Sequence, residues 1–471
     1  MNSAAPKPAS ASADAVIDLY EIQRTIHPRA VHGWFANWRI ALVVLTQLVF
    51  YGTLWLDWNG RQAVLFDLAS RKFYIFGLVF WPQDFIFLTM LLVISALSLF
   101  LFTAVAGRLW CGYACPQTVY TEIFMWIEHL VEGDRPARMK LDAQPMNARK
   151  FGLRGLKHVI WIALSLWTGF TFVGYFTPVR ELLTEVGHVQ LGPWETFWIF
   201  FYGFATYGNA GWMREQVCKY MCPYARFQSV MFDHDTLIIT YDQIRGEPRG
   251  SRGRGVDARK AGQGDCVDCG ICVQVCPTGI DIRHGLQYEC IGCAACIDGC
   301  NQVMDKMGYP QGLIRYTTEN AVHGAYADRQ ILRHVMRPRT LIYSAILLSI
   351  IAAFFVLLFM RVPLKVDVIR DRTAMVRETS DGRIENIYRL QVMNTAEVPR
   401  KLVVSVKGID GLEVILQQPV EIGPASTLTV PVSLRIDPAA TTPGTHAVRF
   451  AVKDQDDARV QTEEKSVFYV R

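Results

Sequence analysis

Cysteine carries most of the chemistry legible in this 471-residue chain. Eight of its twelve cysteines lie between positions 266 and 300. They read Cys266, Cys269, Cys272, Cys276-Pro277, then Cys290, Cys293, Cys296, Cys300, so each half is a C-x2-C-x2-C-x3-C run. In such pairs three cysteines wrap one cubane iron–sulfur cluster and the fourth reaches the neighbouring cluster. The spacing therefore assigns Cys266, Cys269, Cys272 and Cys300 to a first [4Fe-4S] site, and Cys290, Cys293, Cys296 and Cys276 to a second. Structural zinc is the bland alternative, but zinc sites use cysteine or Cys/His pairs across a longer loop. Asn301 stands after Cys300 where the first run has Pro277, which alters the backbone after one ligand but removes none.

The other four cysteines form two further motifs, Trp110-Cys111-Gly-Tyr113-Ala-Cys115-Pro116 and Val217-Cys218-Lys-Tyr220-Met221-Cys222-Pro223. Each follows an apolar stretch and precedes an amphipathic one, Val119–Val131 or Ala225–Phe232. The pattern is that of an internal duplication, with two spans and one cysteine pair per repeat. Proline after the second cysteine suits the first turn of a helix, whose dipole favours a thiolate. Packed about a two-fold axis, the four sulfurs would converge at one membrane face. Soft copper(I), a further cluster, zinc and a dithiol/disulfide couple all fit four thiolates. The bland reading is four small buried residues at tight turns. Met213, Met221 and Met231 are read as packing, and His27 and His32 as interfacial.

These motifs need a membrane to hold them. Half of the residues are hydrophobic, and apolar runs at Ile40–Leu56, Phe85–Ala106, Val159–Phe176, Thr196–Met213 and Thr340–Met360 predict five transmembrane helices. Gly208, Asn209 and Gly211 weaken the fourth. Phe73–Trp81 is too short to span and reads as an interfacial or re-entrant piece. No cleavable signal peptide is expected at the start. Lys and Arg number 4, 8 and 16 in the tail before span one, in 107–158 and in 214–339, against 3 and 1 in 57–84 and 177–195. The cation-rich set should be cytoplasmic, which places the C-terminal part in the periplasm of a bacterial inner membrane. The net charge of +5 restates that bias and implies no nucleic-acid partner.

The chain then divides into a cytoplasmic tail with a disordered start (1–36), a four-helix membrane region with both C-x3-C-P repeats (37–236), and a cytoplasmic segment (237–338). That segment carries an α+β ferredoxin module at about 260–306. A fifth helix (339–361) and an all-β immunoglobulin-like domain (362–471) complete the order. Leu237–Ile244 reads as a strand and Arg245–Gly255 as a Gly/Arg linker. Seven strands are expected in the last domain: Leu364–Ile369, Ile387–Met393, Leu402–Val406, Leu412–Leu416, Leu428–Ile436, His446–Val452 and Ser466–Val470. It has no cysteine, so its core alone must hold it, and docking is its expected role.

Two C-x3-C-P turns closing membrane spans, the paired four-iron module, a last span and an immunoglobulin-like tail together resemble the cytochrome c oxidase accessory protein family CcoG, also called FixG or RdxA. The resemblance covers all but about the first twenty residues. It implies a cupric reductase, an oxidoreductase that reduces Cu(II) to Cu(I) for assembly of the cbb-type haem-copper oxidase. The family's cluster ligands then fall on the eight cysteines of 266–300, and its additional paired cysteines on Cys111, Cys115, Cys218 and Cys222, the catalytic set. Thiolates prefer Cu(I) over Cu(II), so copper at that set would draw the electron forward. Expected partners are copper ions, a separate cytoplasmic electron donor, a copper transporter or chaperone, oxidase assembly factors and membrane lipid; a homo-oligomer is compatible. The chain shows no dinucleotide fingerprint of its own. Two readings compete: an iron–sulfur subunit of a quinol-linked electron-transfer chain, and a non-enzymatic copper chaperone or assembly scaffold.

Overall fold

The computed structural model describes residues 26–254, 256, 262–327, 330–371, 376–416 and 419–470. The expected disordered start lies largely outside the described residues. Among the described residues four helices are long and apolar enough to cross a membrane: Trp34–Trp55, Pro82–Ala106, Ala148–Val173 and Pro338–Phe359. Four of the five expected spans are such helices, and the remaining one, Thr196–Met213, is not. The Thr196–Met213 stretch is a 14-residue α-helix, Pro193–Thr206, that gives way to a π-helical segment over Tyr207–Met213. Gly208, Asn209 and Gly211 favour that break, because glycine is costly in an α-helix and asparagine competes for its hydrogen bonds.

The helices pack as antiparallel pairs. Phe87 meets Phe354 with ring centroids 5.8 Å apart, and Arg337 donates to the Ala104 carbonyl at 3.0 Å. In the other pair a methyl on Gly169 would lie 2.2 Å from the Ile199 carbonyl. Only glycine lets those two backbones approach so closely. Trp34–Gly52 leans on this pair through Tyr51, whose hydroxyl meets that of Thr168 at 2.8 Å.

The ferredoxin module and the C-terminal domain sit at opposite ends of Trp34–Gly52. At its N-terminal end, Asp298 of helix Ala295–Met307 accepts from the amides of Ala36 (2.8 Å) and Phe35 (3.4 Å). Its other end leads into residues 57–84. Within them Val64–Asp67, Lys72–Ile75 and Leu78–Phe80 form a three-stranded antiparallel sheet, which takes in most of the Phe73–Trp81 stretch. Arg71 and Phe76, both with positive φ, turn the chain between the strands. The C-terminal domain seats on this sheet. Buried Asp84 pairs with Arg361 (2.5 Å) and Lys365, Arg61 donates to Glu397 at 2.9 Å, and Val79, Trp81 and Met393 share one apolar cluster.

All seven expected strands of that domain are present in two antiparallel sheets, joined by two short strands, Arg377–Glu378 and Val420–Ile422, that the alternation did not reveal. Leu364–Arg370, Ile384–Asn394, Glu413–Ile415 and Thr427–Ile436 belong to one sheet. Arg400–Lys407, Val420–Ile422, Gly444–Asp454 and Gln461–Val470 form the other. Tyr388, Phe450 and Phe468 are fully buried between them, and the Tyr388 hydroxyl donates across to the Val467 carbonyl at 2.8 Å.

Candidate metal centre

The ferredoxin module is tied together by strand Ile238–Tyr241, which pairs antiparallel with Ile314–Thr317. The segment after it does not behave as a free linker. Arg245 pairs with Asp265 at 2.6 Å, and Arg252 donates to the Gly264 carbonyl (2.7 Å) and the Tyr309 hydroxyl (2.9 Å). Both cations thereby brace the loop that delivers Cys266. Helix Ile271–Gln274 presents Cys272, and helix Ala295–Met307 presents Cys296 and Cys300. Asn301 is what lets the second helix run on past its last cysteine, where Pro277 ends the first; its side chain accepts from the Gly312 amide at 3.0 Å.

Two cavities lie inside the module. One is lined by Cys266, Cys269, Cys272 and Cys300. The other is lined by Cys276, Cys290, Cys293 and Cys296, with Cys272 at the shared wall. Each hollow thus gathers the four sulfurs that the spacing assigns to one cluster. Among the described residues no three His, Cys, Asp or Glu side chains converge on a single metal ion. A lone zinc needs sulfurs about 2.3 Å from one point, whereas a cluster distributes its thiolates over four irons. Burial pushes the Cys272 thiol up to about 11 and those of Cys290 and Cys300 up to about 12, with neighbouring sulfurs adding to the rise. Thiolates at such positions call for a cationic partner, and iron supplies one.

Arg283 stands at the first cavity and bonds Asp281 (2.6 Å) and Asp268 (2.5 Å). Its hydrogen bonds hold the Asp281 carboxyl below the usual range. A fixed cation beside a cluster favours the reduced, more negative form.

The two C-x3-C-P turns have the same construction. Cys115 and Cys222 are the N-caps of helices Pro116–Glu132 and Pro223–Met231, with proline opening each helix as expected. In each turn the second cysteine's amide donates to the carbonyl just before the first cysteine: Cys115 to Trp110 at 3.0 Å, Cys222 to Val217 at 2.8 Å. The repeats then tie to each other. Gln117 donates to the carbonyls of Asn209 (2.9 Å) and Arg214 (3.0 Å), at the end of the π-helical segment. Fully buried Gln228 accepts from the Cys111 thiol at 3.4 Å. The sulfurs of Cys111, Cys115, Cys218 and Cys222 are close enough to act on one another electrostatically. Burial pushes Cys111 up to about 11 and Cys218 to about 12, with the neighbouring sulfurs again adding to the rise.

This four-sulfur group abuts the ferredoxin module. Cys111 and Cys218 pack against Val275, Ile291, Cys293 and Ala295. A methyl on Gly112 would lie 2.8 Å from the Gly292 carbonyl and 2.9 Å from the Cys293 backbone, so the first turn rests directly on a cluster-ligand loop. Tyr316 holds the same Gly292 carbonyl at 2.5 Å. Asp298, Gln117, Gln228, Arg283 and Gly112 went unnoticed in the sequence. Only Gly112 carried a signal there, as the small residue inside a repeated motif. Met221 is exposed beside Cys222, while His27 is partly buried and pairs with Asp142 at 2.8 Å, so it is not a freely solvated interfacial residue.

Eight module cysteines around two hollows, joined to apolar helices, define a membrane-associated iron–sulfur electron-transfer protein. Family models agree on the parts. One described as a 4Fe-4S dicluster domain matches residues 213–319, a 4Fe-4S binding domain matches 88–132, and the IG-like fold at the C-terminus of FixG matches 354–471. The chain is 37% identical over 425 residues to the nitrogen fixation protein FixG of Rhizobium meliloti, covering 83% of this chain and 80% of that one. It is 40% identical over 421 residues to protein RdxB of Cereibacter sphaeroides, covering 88% and 87%. Among solved structures, a FixG-related protein from Vibrio parahaemolyticus aligns with 23% of this chain and 97% of its own, at 26% identity and a TM-score of 0.21. The chain belongs to the FixG/RdxA family.

Proposed function

We propose that this chain reduces Cu(II) to Cu(I) during assembly of a cbb-type oxidase, with Cys111, Cys115, Cys218 and Cys222 as the exit site. The observation that carries the reading is the contact of Gly112 with the Gly292–Cys293 backbone, beside which Cys111 and Cys218 pack against the cluster-ligand segment. The eight module cysteines would hold two [4Fe-4S] clusters, which supply one-electron storage when bound. The chain's own part is to deliver soft donors that favour the product ion, since thiolates prefer Cu(I). One electron converts one Cu(II) to one Cu(I), and a separate cytoplasmic donor restores it. In this reading Pro193–Met213, packed against Ala148–Val173, carries the chain back across the membrane as a shorter, interrupted crossing, so that the module faces the cytoplasm and the C-terminal domain the periplasm, in keeping with the Lys/Arg distribution. A copper transporter or chaperone would take the product.

The test is Cu(I) formation, read with a Cu(I)-specific chelator, by anaerobic full-length protein in detergent under a chemical reductant. Wild type should form Cu(I) and the Cys111→Ala/Cys218→Ala variant should not. Quinol oxidation without copper turnover would favour the quinol-linked reading in its place, and copper binding without reduction the scaffold reading.

A further inference from the structure

We infer that Cys111, Cys115, Cys218 and Cys222 jointly hold one further four-iron cluster, shared between the two repeats. The inference rests on the reading above for the place of the exit site and goes beyond it in chemistry: with all four thiolates on iron, the electron would pass to Cu(II) from that cluster, and these sulfurs would not hold Cu(I). A cubane cluster takes four thiolates. The family model for 4Fe-4S binding over 88–132 encloses just two cysteines, Cys111 and Cys115, and is therefore two ligands short. The eight cysteines of 266–300 line their own two cavities. Of the twelve in the chain, Cys218 and Cys222 are the pair that remains.

The fold brings that pair to the other. Cys111 and Cys218, from different repeats, pack on one apolar cluster, and Cys115 and Cys222 occupy equivalent N-cap positions. Two helix N-termini thus supply favourable dipoles to one thiolate-bearing group. The cross-repeat bonds of Gln117 and Gln228 hold the halves together. Gln228 is fully buried beside the Cys111 sulfur; the thiol donates to its Oε1, and a Cys111 thiolate would instead need the side-chain amide turned to donate to it.

Iron and acid-labile sulfide counted on anaerobically purified full-length protein test this directly. Three cubane clusters require about twelve of each per chain, and two require about eight. Wild type should give about twelve, and Cys111→Ala/Cys218→Ala should give about eight with the ferredoxin-type EPR signal retained. About eight in wild type overturns the inference, as does a variant that keeps about twelve. If the double variant does not accumulate, the wild-type count decides alone. Because the readout is metal content, it is separable from the copper reading: about twelve irons with no Cu(II) reduction would sink that reading and leave the third cluster standing.

Discussion

Asp298 lies two residues from Cys296 and two from Cys300, yet its carboxylate caps a helix more than 260 residues away in sequence. Replacing it with alanine would strip acceptors from the Phe35 and Ala36 amides at a buried site. Loss of an N-cap costs about 0.5–2 kcal/mol, and loss of a negative charge at a partly buried helix N-terminus about 1–2 kcal/mol more. A total of roughly 2–3 kcal/mol falls on the docking of the ferredoxin module to the first membrane helix. At about 1.4 kcal/mol per tenfold, the undocked population rises roughly thirtyfold to a hundredfold. Asp298→Asn keeps an acceptor and should cost about half as much. Hydrogen exchange on a peptide spanning residues 30–40 measures this: Asp298→Ala should speed exchange at Phe35 and Ala36 by that factor, with Asp298→Asn between it and wild type. An alanine variant that exchanges no faster than wild type would refute the assignment of Asp298 as the clamp. Gly33→Ala should mimic it, since a methyl there would sit 2.3 Å from the Asp298 carboxyl carbon.

Three further outcomes are expected. The Cys111→Ala/Cys218→Ala variant should lose Cu(II) reduction while its ferredoxin-type EPR signal persists; loss of that signal would make these residues determinants of the module's own fold. Asp84→Asn removes the charge that Arg361 and Lys365 share at a buried site, and breaking such a pair costs about 3–5 kcal/mol. Limited proteolysis should then cut between the last membrane helix and the C-terminal domain much faster than in wild type. Tyr388→Phe removes the hydrogen bond from this fully buried side chain to the Val467 carbonyl, a loss of about 0.5–1.5 kcal/mol, so calorimetry of the full chain should show the C-terminal transition alone moving to lower temperature.

The parts that were legible before the structure are those set by local chemistry. Cysteine spacing sorted the eight module sulfurs into the two groups that line the two cavities, because that spacing follows from wrapping a cluster. Proline after Cys115 and Cys222 marked two helix starts, because proline fits the first turn and little else. Alternating burial disclosed the long strands of the last domain, but not Arg377–Glu378 or Val420–Ile422, which are too short to show a period. The strands within residues 73–81 were not legible, because a short aromatic-rich stretch shows no strand period. The turns at Arg71 and Phe76 that fold it carry no glycine at their positive-φ positions. The Thr196–Met213 stretch misled through its composition, which cannot distinguish an α-helix from one that ends in a π-helical segment. Asp298, Gln117 and Gln228 were invisible because each acts on a partner from a distant part of the chain.

The most direct test of the proposed role mixes anaerobic, dithionite-reduced protein with Cu(II) in a stopped-flow spectrometer, following cluster absorbance and a Cu(I)-specific chelator together. Absorbance bleached by reduction should return as Cu(I) appears, in equal electron equivalents. Clusters that stay reduced while copper stays Cu(II) would contradict the assignment of this protein as a copper reductase.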